Sequence, residues 1–205
     1  THRKWKDGDY SNYTEWVKDT FEIHKKHRLH VNDFKRLIDE AEYEDGVIEF
    51  FRKLDRRKFL PVLVSGGFCE LVRKAQRDLK IDYGYGACEY YFCPSDGYLS
   101  SPSYAPCDFK GKYEYIRPLL MEKNIANSDL IFVGDGKNDV HIAQKAALSF
   151  GINAHEDLRN IVNLNVCSFS EIANYLQNMH DEQLEEKQYT IPLLRDLLVD
   201  KPLKH

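Results

Sequence analysis

The chain predicts an α/β fold, a three-layer sandwich around a mostly parallel sheet, preceded by a small helical segment. Three observations carry this. Two apolar, β-branched runs, Phe59-Leu60-Pro61-Val62-Leu63-Val64 and Leu130-Ile131-Phe132-Val133, read as buried strands. Each ends in glycines and polar residues and passes into helical periodicity, the strand–helix alternation of parallel sheets. Ahead of them, residues 8–44 show helical periodicity alone. This divides the chain into a helical remnant (1–45), a core (46–178) and a C-terminal extension (179–205).

The elements follow in order. Residues 12–28 carry Tyr13, Trp16, Val17, Thr20, Phe21 and His24 on one helical stripe. Asn32 is placed to cap a second helix with Phe34, Leu37, Ile38 and Ala41. A third helix with Val47, Phe50, Phe51 and Leu54 leads into the first strand. After Ser65-Gly66-Gly67-Phe68 comes a helix bearing Leu71, Val72, Ala75 and Leu79. Strand-like Tyr85–Phe92 and a Ser95-Asp96-Gly97 turn follow, with no room for a large second insertion. Lys110-Gly111-Lys112 precedes a helical pattern with Ile116, Leu119 and Leu120. Ser168 and Glu171 form a capping box for a helix through Leu176. In the tail, Pro192 suits a first helical turn, and Leu193, Leu194, Leu197 and Leu198 form one helical stripe.

The chemistry concentrates in Val133-Gly134-Asp135-Gly136-Lys137-Asn138-Asp139. Ligand sites on open α/β sheets lie at the carboxyl ends of strands, so Asp135 and Asp139 should line a pocket. Paired carboxylates there suit Mg²⁺, which takes one or two of them and completes its shell with water and phosphate oxygens. Ser65 with the N–H groups of Gly66 and Gly67 at a helix start forms an anion site. A lysine such as Lys110 can neutralise a phosphate.

Taken together, Val64-Ser65-Gly66-Gly67-Phe68, Lys110-Gly111 and the Gly134–Asp139 run resemble the second, third and fourth motifs of haloacid-dehalogenase-type (HAD) phosphatases. The phosphoserine-phosphatase-like branch is the nearest in pattern. The resemblance covers roughly residues 8 to 178 and implies a Rossmann-like core with a helical cap. It implies that Ser65, Gly66 and Gly67 bind phosphate oxygens and that Lys110 neutralises nucleophile and phosphate. Asp135 would ligate Mg²⁺, with Asn138 and Asp139 ordering the site. The implied reaction is hydrolysis of a small phosphorylated metabolite through an aspartyl-phosphate.

The family's first motif, an apolar strand ending in Asp-x-Asp, supplies the nucleophile and has no counterpart here. Asp7-Gly8-Asp9 copies the letters, but Thr1-His2-Arg3-Lys4-Trp5-Lys6 before it is no buried strand. In the family that strand is central, between Leu60–Val64 and Leu130–Val133. Without it, two inner strands keep unpaired backbone groups. The expectation is that the strand and its nucleophile lie upstream of Thr1, and that the chain by itself is inactive. The alternative is that another segment fills the slot.

Composition bounds the rest. Hydrophobic residues make up 42%, enough for a core, and a net charge of −4 argues against a nucleic-acid backbone binder. No apolar run approaches a membrane span. Five cysteines without a Cys-x-x-Cys pair fit reduced thiols and a cytoplasmic location better than a disulfide framework. A zinc site from Cys88, Cys93 and Cys107 is disfavoured. His24, His27 and His30, among Lys25, Lys26 and Arg28, read as a solvated basic face. Residues 190–199 read as a helix that packs on its own core, or else docks a partner or a second copy in a homodimer. A non-catalytic phosphate- and metal-binding protein is the competing function. A cation-pump phosphorylation domain shares Gly-Asp-Gly-x-Asn-Asp but should carry Asp-Lys-Thr-Gly-Thr and membrane helices, which this sequence lacks.

Overall fold

A computed structural model describes residues 10, 12–107, 110–183 and 189–194. Asp7, Asp108 and the tail beyond Leu194 lie outside the described residues. The helical segment comprises α1 (Tyr13–Lys26), α2 (Val31–Asp39) and α3 (Val47–Lys53). The core then runs β1 (Phe59–Phe68), α4 (Cys69–Leu79), β2 (Tyr83–Phe92), β3 (Leu99–Tyr104), α5 (Gly111–Glu122), β4 (Ile131–Gly134), α6 (Val140–Ala143), β5 (Leu148–Ile152), α7 (Glu156–Arg159), β6 (Leu164–Val166), α8 (Phe169–Gln183) and β7 (Tyr189–Leu194).

Asn12 caps α1, its Oδ1 accepting from the Glu15 N–H at 3.0 Å. The cap of α2 is His30 rather than Asn32: the His30 ring accepts from the Asn32 N–H. Ser168 caps α8, its Oγ accepting from the Glu171 N–H, while the Glu171 carboxylate accepts from the Cys167 N–H and the Ser168 hydroxyl; α8 continues past Leu176 to Gln183.

The sheet order is β3-β2-β1-β7-β4-β5-β6, parallel throughout except for the β2–β3 hairpin. Alternation along the strands serves two helix layers. Phe59, Leu63, Ile131 and Val133 pack with α3, α4 and α8, through Phe50, Phe51, Val72, Ala75, Phe169 and Ile172. Val62, Val64 and Phe132 face the other way, onto Ile116, Leu119 and Leu120 of α5 and Ile142 of α6. This period of two is why near-continuous apolar runs are needed: each face of these strands is buried. A third cluster seats α1 and α2 on the β2–β3 hairpin, with Tyr13, Val17, Phe21 and Phe34 against Ala87, Cys88, Tyr90 and Leu99.

Two expectations are corrected. The tail is not helical over the described residues 189–194: it is a strand, β7, and it occupies the slot between β1 and β4. It pairs with β1 from Phe59↔Tyr189 to Val64↔Leu194, and with β4 at Val133↔Leu193. The physical reason is the demand of two inner strands for backbone partners, which a helix cannot meet. Tyr189, Thr190 and Ile191 are good strand formers, and the fixed φ of Pro192 suits extended backbone at the loss of one ladder donor. The second correction concerns His24, which is not part of a solvated face. Its Nδ1 lies 3.0 Å from the Tyr90 hydroxyl, and burial lowers its pKa.

Candidate active site

The site is built at the carboxyl ends of β1 and β4. The β1–β2 ladder is regular through Ser65↔Gly86 and resumes at Phe68↔Cys88. Gly66 and Gly67 therefore face a single residue, Ala87, in a bulge that takes them out of even pairing. The Gly67 N–H donates to Ser65 Oγ at 3.0 Å, and the Gly66 carbonyl accepts from the buried Tyr13 hydroxyl.

At the end of β4 the chain makes a single 3₁₀ turn over Lys137–Asp139, which folds Asp139 back beneath the loop. The Asp139 carboxylate is fully buried. One oxygen, Oδ2, accepts from the N–H groups of Gly136 (3.0 Å) and Asp135 (3.3 Å). The other, Oδ1, accepts from Lys112 Nζ at 2.5 Å, and Lys112 is itself fully buried. Gly134 is required here: a Cβ would stand 2.8 Å from Asp139 Oδ2 and 2.5 Å from the Phe132 ring. Burial pushes the Asp139 carboxyl up, against the opposing pull of Lys112, and the nearby Asp135 charge pushes it further up.

Asp135 differs from Asp139. It is only partly buried, and among the described residues its carboxylate has neither hydrogen bond nor ion pair. Its backbone is held instead, the His155 N–H donating to its carbonyl at 2.7 Å. A free carboxylate at a strand end suits a hard cation whose remaining ligands are water and phosphate oxygens. Among the described residues no group of three or more His, Cys, Asp or Glu is arranged to hold a metal by itself, so neither Cys88, Cys93 and Cys107 nor the histidines form one.

The two lysines of the Lys110-Gly111-Lys112 run are placed differently. Lys110 is exposed at the start of α5, whereas Lys112 is buried against Asp139. Two residues are roughly 200° apart around a helix, so only one of the pair can face the core. The signal was in the sequence: Lys112, Ile116, Leu119 and Leu120 share one stripe, and Lys110 lies off it. Tyr13 was read only as a core position, and its hydroxyl contact with the Ser-Gly-Gly loop was missed.

No protein-family model matches the chain. A phosphoserine phosphatase of Lactococcus lactis is 28% identical over 140 residues, covering 63% of this chain and 63% of that protein. One from Archaeoglobus fulgidus is 25% identical over 134 residues, 65% of this chain and 38% of its own length. The chain thus spans less than two thirds of these relatives. Among solved structures, a phospho-aspartyl intermediate analogue of phosphoserine phosphatase superposes with a TM-score of 0.73 at 22% identity, over 85% of this chain and 82% of that one. A HAD family hydrolase from Salmonella enterica gives 0.71 at 16% identity, over 80% and 55%. The chain therefore shares the haloacid-dehalogenase-like fold of these structures, and over about two thirds of its length its sequence is similar to phosphoserine phosphatases.

Removing Lys112 tests the buried pair. Lys112→Met strands a carboxylate in the core and should cost about 3–5 kcal/mol of unfolding free energy at pH 8. Without its cation, the folded-state pKa of Asp139 rises further above the unfolded value of about 3.9. Between those two values the folded state binds more protons than the unfolded, so stability falls as pH rises. The deficit of the variant should therefore shrink from pH 8 to pH 5 in denaturant titrations. An equal or larger deficit at pH 5 contradicts the pairing.

Proposed function

We propose that the pocket belongs to a Mg²⁺-dependent phosphomonoester hydrolase acting on a small phosphorylated metabolite. The observation that carries this is the placement of three groups at the carboxyl ends of β1 and β4, the strands that flank β7: a bulged Ser65-Gly66-Gly67 loop, a buried Lys112–Asp139 pair, and the free carboxylate of Asp135. Ser65 presents its hydroxyl to a phosphate oxygen, with the loop backbone beside it. Asp135 holds the cation, and Asn138 borders the same loop. Lys110, at the exposed start of α5, is assigned to neutralise the phosphate, and Lys112 adds a buried charge paired with Asp139.

The magnitudes explain why such a site needs both a lysine and a metal. A carboxylate approaching a phosphate dianion at ~4 Å meets roughly 8 kcal/mol of repulsion at an effective dielectric near 20. The bound cation would supply opposing charge at the phosphate oxygens. Lys112 supplies a second positive charge, fixed in place before the substrate arrives by its bond to Asp139. Asp139 is committed to three hydrogen bonds and Asp135 to the metal, so neither attacks phosphorus. The attacking carboxylate, and with it the aspartyl-phosphate, is therefore assigned to a third acidic group distinct from these two.

The substrate is proposed to be something other than phosphoserine. In phosphoserine phosphatases an arginine seven residues after an aromatic cap position holds the substrate carboxylate, and counting from Tyr13 that position is Thr20. The Thr20 hydroxyl donates to the Trp16 carbonyl of its own helix at 2.8 Å. It offers no cation, and so lacks the roughly 1.5–3 kcal/mol of a charged hydrogen bond.

Two measurements test these assignments. Asp135→Asn should weaken Mg²⁺ binding at least about tenfold in calorimetric titration, because a charged ligand becomes neutral; equal affinity would remove Asp135 from the metal site. A screen of small phosphomonoesters on the active protein should rank phosphoserine below another substrate by kcat/KM. Phosphoserine in first place would refute the reading of Thr20.

A further inference from the structure

We infer that Tyr13 is a positioning residue for the Ser65 hydroxyl, acting through the peptide that joins Gly66 to Gly67. This rests on the phosphate-pocket reading above. Tyr13 opens α1 and is buried, its ring tilted against Trp16 at 5.8 Å between centroids. Its hydroxyl donates to the Gly66 carbonyl. The N–H on the other side of that same peptide bond, from Gly67, donates to Ser65 Oγ at 3.0 Å.

A peptide unit is planar, so its C=O and N–H turn together. Fixing the carbonyl at Tyr13 fixes the direction of the Gly67 N–H, and that N–H in turn sets the Ser65 side chain. A hydroxyl that already accepts one hydrogen bond from Gly67 keeps its own proton for another partner. The Tyr13 bond therefore aims the Ser65 proton at a ligand oxygen. Each bond in such a chain also polarises the next.

This arrangement has little slack. Gly66 lies out of the regular ladder, where the sheet alone would not hold its carbonyl. A Cβ there would meet Cys107 Sγ at 3.0 Å and the Tyr13 ring at 3.7 Å, so the loop is gripped between core and cap. The first residue of the cap helix thus reaches the anion loop through a bond, and cap docking and phosphate binding become linked.

The experiment is a double-mutant cycle on the 205-residue chain, with inorganic phosphate as the probe in Mg²⁺ buffer. Tyr13→Phe keeps the ring and removes the donor. With Ser65 present it should weaken phosphate binding about tenfold, the size of one hydrogen bond. In a Ser65→Ala background the same change should cost less than about twofold, because its route to the ligand is gone. 4-Aminophenylalanine at position 13, which restores a donor, should recover most of the affinity. Additive losses, or no loss with Ser65 present, would overturn the proposal. Amide exchange at Gly67 is the second readout and needs no ligand: it should accelerate in Tyr13→Phe while amides in β4 stay unchanged. If the unsubstituted chain binds no phosphate, the pocket reading fails. The exchange result then decides the Tyr13 link alone, unchanged exchange overturning it and faster exchange upholding it.

Discussion

Two opposite charges with no exposure to water, Lys112 and Asp139, sit at the carboxyl edge of the sheet and tie three elements into one phase. Burying each charge costs several kcal/mol, recovered only if the pair is close and its remaining hydrogen bonds are made. That condition sets the rotation of α5, which must turn Lys112 inward. It sets the 3₁₀ turn after β4, which must bring Asp139 under the N–H groups of Asp135 and Gly136. It also sets the glycine at 134, since a side chain there would collide with the carboxylate. With Asp139 consumed in this way, Asp135 is left as the free carboxylate of the loop. The division of labour between two aspartates four residues apart is therefore a consequence of burial: one is spent on structure and charge placement, the other is available to a cation.

The sheet imposes the second demand. β1 and β4 are interior strands covered on both faces, and each needs a backbone partner on its inner edge. β7 supplies it, over Phe59–Val64 of β1 and at one residue pair along β4. Its last residue, Leu194, is level with Val64, just before Ser65, while Leu193 is level with Val133, two residues before Asp135. The strand that closes the sheet thus ends between the two halves of the site. Pro192 gives up one donor in this position, a concession usually confined to strand edges.

Much of this was legible in the sequence, for identifiable reasons. Strands buried on both faces leave uninterrupted apolar runs, so Phe59–Val64 and Leu130–Val133 could be read directly. The glycines and acids after them marked the loops, and helical periodicity marked α1, α3, α4 and α5. What failed was a choice between periods, and what stayed hidden was helical phase and long-range contact. Lys110 and Lys112 differ only in helical phase, and phase depends on where the helix begins. The tail from Tyr189 carries strand-forming residues and then the start of a leucine stripe, and a vacancy in the sheet decided between them over 189–194. The Tyr13 contact joins residues 53 apart in sequence, through a hydroxyl that reads equally well as a core tyrosine.

The central claim is that the ends of β1 and β4 form one pocket for a cation and a phosphate. Mn²⁺ can stand in for Mg²⁺ at oxygen ligands, and its unpaired electrons broaden the NMR signals of nearby amides. Titrating it into the isotope-labelled chain with inorganic phosphate present tests the claim directly. The account predicts that amides of Asp135–Asn138 and Ser65–Gly67 broaden first and together, and that Asp135→Asn removes the effect. Broadening centred on His24–His30 or spread evenly over the acidic surface would contradict it.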